Sequence, residues 1–140
     1  MADKGKLPAP IVLALVVADE ITRDQESGKC TIHGVFYAAE CASFPTKASL
    51  SVYGAITGFH GKVKVEIRFV EVGDNDRLMA AATQEFSSKD PHTVVEMVLN
   101  FRDIIFKQPG EYRVQLLAGG EHLLERRIQL AVMDEDSDGG

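Results

Sequence analysis

Lys62-Val63-Lys64-Val65-Glu66-Ile67-Arg68-Phe69 is the stretch that decides the fold. In an extended chain successive side chains point to opposite faces, so Val63, Val65, Ile67 and Phe69 share one side. Lys62, Lys64, Glu66 and Arg68 share the other. One face therefore belongs in a core and the other in water. Val70 is apolar as well, which predicts a bulge or the strand's end just after Phe69.

Working outward, eight segments read as extended: roughly Pro10–Ala18, Lys29–Ala39, Lys47–Thr57, Lys62–Val72, Arg77–Phe86, Thr93–Phe101, Glu111–Ala118 and Glu121–Val132. The last two form a hairpin. Tyr112, Val114, Leu116 and Ala118 alternate with Arg113, Gln115 and the less fitting Leu117 up to Gly119-Gly120, a pair suited to a two-residue turn with positive φ at both positions. Leu124, Ile128, Leu130 and Val132 repeat the pattern on the way back, and Arg126 interrupts their row, which places that end near a sheet margin. All five prolines fall at or outside strand boundaries, where a missing N–H does no harm. Gly34 and Gly54 lie inside strands and read as bulges or points of close packing. Two segments stay ambiguous. Leu78–Glu85 has good helix propensity but follows the turn Gly73-Asp74-Asn75-Asp76, a hairpin setting, and is taken as a strand. Phe101–Phe106 reads as a possible helical turn across the end of the sandwich.

A chain of 140 residues fits one domain and buries enough surface to need no staples. The body spans about residues 9–132, followed by an acidic tail over 133–140 that reads as disordered. The tail also explains the net charge of −6, because Asp134, Glu135, Asp136 and Asp138 are four of 21 acids. The remaining 17 face 15 Lys and Arg spread along the chain, so there is no basic field for nucleic acid.

Lys4 and Lys6 before Leu7–Ala18 give the N-terminus the outline of a secretory signal. Pro8, Pro10, the β-branched Ile11, Val12, Val16 and Val17, and the missing small-residue cleavage site favour a first strand, with secretion as the alternative. No apolar run reaches the length of a membrane helix, and no membrane partner is expected. Cys30 and Cys41 are too few for a disulfide framework; they read as reduced thiols in a cytoplasmic protein, with Cys30 on a buried face.

Motifs with chemical potential resolve into structural features. Cys30-Thr31-Ile32-His33 has a metal-like spacing, but on a strand residues three apart face opposite ways. Asp134-x-Asp136-x-Asp138-Gly139 matches the opening of an EF-hand loop, yet no acid follows at the twelfth position. Asp74, Asn75 and Asp76 are turn formers. His33, His60, His92 and His122 share no spacing, and His33 reads as a hydrogen-bonded, partly buried strand residue. No catalytic, cofactor-binding or metal-binding residues are assigned and no cofactor is expected. Catalytic groups can converge from distant loops, so the enzyme question stays open. The stripe Lys62, Lys64, Glu66, Arg68 reads as protection against edge-to-edge association.

Several short runs also resemble a known family. They are Val17-Ala18-Asp19, Ser27-Gly28-Lys29, Thr31-Ile32-His33-Gly34-Val35-Phe36, Phe44-Pro45, Leu50-Ser51-Val52-Tyr53 with Thr57-Gly58 and Gly61, and Pro109-Gly110-Glu111-Tyr112. Together they resemble a family of small bacterial proteins classified only as a domain of unknown function. The resemblance implies a bacterial, cytoplasmic protein and assigns no activity. The closing stretch, Ile104-Ile105-Phe106 and then Pro-Gly-x-Tyr, is similar to the last hairpin of immunoglobulin-like domains. In those folds a tyrosine caps a sandwich corner through its hydroxyl, a role that falls here to Tyr112. Val114 stands where antibody domains carry cysteine.

The expectation is an all-β, two-sheet sandwich of about eight strands, immunoglobulin-like, with a jelly roll as the rival topology. The leading functional reading is a non-enzymatic binding or assembly module that engages another protein, or a second copy, through loops or an exposed sheet face. The alternative is a small-ligand binder or an unrecognised hydrolase, its site built from loops such as Gly58–Gly61 and Gly73–Asp76.

Overall fold

The hydrophobic alternation is realised throughout. A computed structural model describes residues 9–134, and among them nine strands and no helix form. In chain order these are β1 (Ile11–Arg23), β2 (Cys30–Val35), β3 (Ala38–Cys41), β4 (Thr46–Thr57), β5 (Gly61–Glu71), β6 (Arg77–Ser88), β7 (Val95–Phe106), β8 (Gly110–Ala118) and β9 (Glu121–Val132). They make a four-stranded sheet ordered β2-β1-β4-β7 and a five-stranded sheet ordered β3-β9-β8-β5-β6. Every pairing is antiparallel except β3 with β9.

The core lies between the sheets. Val65, Ile67 and Phe69 on β5 are fully buried, as are Val114 and Leu116 beside them on β8. Leu15, Val17, Val52 and Ile56 come from the opposite sheet. Each such side chain contributes about 1.5–3 kcal/mol through burial. Phe69 joins the layers by edge-on contacts with Phe101 (centroids 5.8 Å apart) and Phe106 (6.1 Å). The slip expected after Phe69 is present as a register shift between Phe69 and Val70. Gly119 and Gly120 turn with φ of 59° and 84°. Leu78–Glu85 is strand, inside β6.

Several expectations are corrected. Lys29–Ala39 is two strands in different sheets. Gly34 takes φ of 71°, the Phe36 N–H donates to the Val17 carbonyl at 3.2 Å, and the chain then crosses to β9. Phe101–Phe106 is strand, its irregularity taken up by Asp103 at φ 57°, whose N–H donates to Ser49 Oγ at 3.1 Å. The charged stripe of β5 lies on a central strand flanked by β6 and β8, so it guards no edge. Met133, assigned to the tail, donates its N–H to the Cys41 carbonyl at 2.8 Å. Residues 135–140, and with them most of the tail, lie outside the described residues.

β1 runs five residues beyond its expected end and bends. Ala14 pairs with Ala55, and Ala55 with Glu96. A straight strand would put Arg23 about 30 Å past that row. Instead Arg23 Nη1 lies 3.5 Å from Glu96 Oε1. The far half of β1 and β2 therefore fold back over the outer face of the four-stranded sheet. Ser51 and Ala55, which point to that face, are buried beneath them.

Candidate functional site

The residues singled out for chemistry are dispersed by this topology. Cys30 and His33 point to opposite faces of β2. Cys30 faces Tyr53 and Glu96 under the folded-back hairpin, whereas His33 is exposed and hydrogen-bonded to Thr22 at 3.1 Å, so the expected partial burial is corrected. His60 and His92 are exposed, the latter 3.1 Å from Asp90, and His122 stands 3.2 Å from Glu125. Among the described residues no three His, Cys, Asp or Glu side chains stand together as a metal set. Cys41 closes β3 in the other sheet, and both thiols are free and half-buried. Asp76 accepts a hydrogen bond from the Gly73 N–H at 3.1 Å, a turn role. The loops Gly58–Gly61 and Gly73–Asp76 sit at opposite ends of the 11-residue β5 and cannot frame one site.

Two features remain that sequence patterning does not expose. The first is the set of sheet edges. The edge of β1 is interrupted by an extra residue at Leu13, and Arg126 Nε covers the Leu15 carbonyl at 3.0 Å. The edge of β7 is broken at Asp103, and β3 is only four residues long. β6 differs. From Ala80 to Ser88 it pairs with β5 in unbroken register, and among the described residues no strand lies on its other side. Glu85 is the only charged residue in that run, and there is no proline.

The second is a cavity of about 330 Å³ between the sheets under the β2–β3 crossover. Phe36, Leu50, Phe69, Phe106, Ile128 and Leu130 supply its apolar walls, and Cys41 lines it too. Among the described residues Asp19 is its one acidic group, placed where β1 bends and packed against Gly34. No cation among the described residues pairs with it. The only hint of this site in the sequence is Gly34, whose backbone freedom permits the crossover.

Under the hairpin, the Tyr53 hydroxyl donates to Glu96 Oε2. Burial, followed by the bond to Glu96 and its charge, pushes the Tyr53 hydroxyl up to about 12. At the opposite end Tyr112 donates its hydroxyl to the Gln108 carbonyl, as expected of a corner tyrosine. Its ring packs edge-on against Phe106 at 5.1 Å. Burial, then the charge of Glu71, raises its pKa. Glu71 accepts from Arg77 Nε at 2.8 Å and Gln108 Nε2 at 3.1 Å, and the Arg77 bond is the main cause of its lowered pKa.

The chain has structural likeness to a β-glucosidase from Listeria innocua, at 11% identity and a TM-score of 0.47, covering 89% of this chain and 17% of that one. The same enzyme in complex with isofagomine matches at 9% identity and a TM-score of 0.44, again over 17% of its length. The sensor domain of the anti-sigma factor RsgI4 from Pseudobacteroides cellulosolvens matches at 13% identity and a TM-score of 0.40, covering 87% of this chain and 94% of that one. No curated protein sequence matches. A family model does match over residues 13–132, nearly the whole of the paired strands, and the chain thus belongs to a family of unknown function (DUF6941).

Proposed function

We propose that this domain is a non-enzymatic binding module that holds an extended segment of another protein against the open edge of β6. The observation that carries this reading is the uncapped run Ala80–Ser88. Its outward N–H and C=O groups form a row that an incoming strand can pair with. β6 carries the longest unbroken run, nine residues against seven on β7 and six on β2, so it offers the best template. Side chains at alternate positions, among them Ala81, Thr83 and Glu85 on the outer face, would read the partner's sequence.

We read the sandwich itself as immunoglobulin-like. Support comes from the Tyr112 corner, the pairing of β4 with β7 and of β5 with β8 in opposite sheets, and the parallel β3–β9 contact. We place the protein in the bacterial cytoplasm. The two separate free thiols fit a reducing compartment.

The test is site-specific photo-crosslinking in the host. A benzophenone side chain at Ala81 or Thr83 gives discrete protein adducts, and the same group at Lys64 on the open sheet face gives none. Adducts of twice the chain's mass would identify a second copy as the occupant. Crosslinking at Lys64 without crosslinking on β6 would overturn the assignment.

A further inference from the structure

We propose that the cavity beneath the β2–β3 crossover binds a small organic cation, a primary amine carrying one aromatic ring or a short aliphatic chain. Its volume of about 330 Å³ is the first ground. An apolar cavity of roughly 150 Å³ holds one benzene, so this one accepts a ring with a short arm. The walls supplied by Phe36, Leu50, Phe69, Phe106 and Leu130 offer apolar contact from both sheets.

Charge chooses the ligand class. Asp19 is exposed to solvent and also lines the cavity, and among the described residues none of the ion pairs includes it. An unpaired carboxylate beside apolar walls concentrates a negative potential at that point. Outside the tail the chain's slight excess of acids, 17 against 15 Lys and Arg, works in the same direction, against fatty acids and other anions. An ammonium group at Asp19 with its hydrocarbon inside satisfies both halves of the site. The cavity is lined by β3 and β9 residues, while the open edge of β6 is at the other margin of the same sheet. Phe69 is the one cavity wall next to β6, paired with Ala80, so the two readings are tested separately and the failure of one leaves the other standing.

The test titrates the full chain with phenethylamine, phenethyl alcohol and phenylacetate, followed by saturation-transfer NMR. The amine is expected to bind about tenfold more tightly than phenylacetate. Asp19→Asn should level that preference and leave the alcohol unchanged. Ala39→Phe, which fills the cavity from β3, should abolish binding of all three. The rate of Cys41 alkylation in a Cys30→Ser background supplies a readout that needs no substitution in the cavity lining, and phenethylamine should slow it. Equal binding of amine and carboxylate, retention of the amine by a folded Ala39→Phe variant, or no Cys41 protection at millimolar amine would overturn the proposal. Protection by a cationic, aromatic peptide but not by the free amine would also overturn it, assigning the cavity to a protein partner.

Discussion

Arg126 Nε on β9 donates to the Leu15 carbonyl on β1 at 3.0 Å, a bond between the two sheets. Val17 gives its carbonyl to Phe36, and alternate carbonyls of a strand point the same way, so Leu15 faces the same edge. β2 pairs with β1 only from Ala18 onward, leaving the Leu15 carbonyl without a strand partner. Arg126 fills that place, which explains a charge in an otherwise apolar row. Arg126→Met, similar in reach but without donors, should cost about 1–3 kcal/mol. Urea denaturation checks this through a lower midpoint at unchanged slope. A midpoint equal to wild type would show that the bond contributes nothing.

Tyr112 holds the opposite end. Its ring is buried against Phe106 and its hydroxyl donates to the Gln108 carbonyl four residues back. Tyr112→Phe retains the ring contact and removes the donor, leaving that carbonyl short of a partner. The expected loss is about 1–2 kcal/mol, read from thermal or urea unfolding. Tyr112→Ala, which also empties core volume, should cost more, about 3–5 kcal/mol.

These two residues mark what was legible in the sequence. Period-two alternation exposed the strands of β5, β8 and β9 because each has one face in the core. The corner role of Tyr112 followed from a resemblance, and the marginal position of Arg126 from a break in the row. The split at Gly34 and the bend in β1 were hidden, since Thr31–Phe36 alternates smoothly through the crossover and nothing local distinguishes a flat strand from one that folds back. The cavity was hidden for the same reason. It is made by residues from β1, β3, β4, β5, β7 and β9 that no spacing links. Edges are a property of strand order, so from sequence alone the charged stripe of β5 reads as an edge guard although β6 and β8 flank it.

Gly34 tests the crossover directly. Its φ of 71° is one that L side chains rarely adopt, and a Cβ there would collide with the Asp19 carboxylate. Gly34→Ala should destabilise the fold by about 1–3 kcal/mol. Part of that cost should return in the double variant Asp19→Ala/Gly34→Ala, where the collision is gone and only backbone strain remains. Comparing the two by thermal unfolding separates sterics from φ. Equal losses would show that the carboxylate had room to move.

Tyr53 and Glu96 give a spectroscopic test of the folded-back hairpin. Glu96 accepts the Tyr53 hydroxyl and lies 3.5 Å from Arg23 near the hairpin tip. Tyr53, held up to about 12, should stay protonated at pH values that ionise a free tyrosine. A raised phenol stabilises the fold fully below the unfolded value near 10, and that contribution is lost as pH climbs toward 12. Glu96→Gln should bring the Tyr53 titration back toward 10, followed by ultraviolet difference spectra in a Tyr37→Phe/Tyr112→Phe background, where Tyr53 is the one tyrosine left. An unchanged titration would mean that burial alone sets it.

Glu71 makes the fold sensitive to acid. Its carboxylate is largely buried at the end of β5 and bonded to Arg77 on β6 and to Gln108 just before β8. The Arg77 bond chiefly holds its pKa below the ordinary 4.5, so the folded state releases this proton more readily than the unfolded chain. The resulting stabilisation is complete above the unfolded value of 4.5 and disappears as pH falls through the lower folded value. Glu71→Gln removes the charge at every pH. At pH 7 the variant should be less stable by about 1–2 kcal/mol, in the range of a charged hydrogen bond partly replaced by a neutral one. At pH 4 the gap should already be narrower, because below 4.5 wild type begins to lose what the variant never had. Urea denaturation at both pH values checks the narrowing; a gap that stays constant would locate the effect in packing of the side chain, not in its charge.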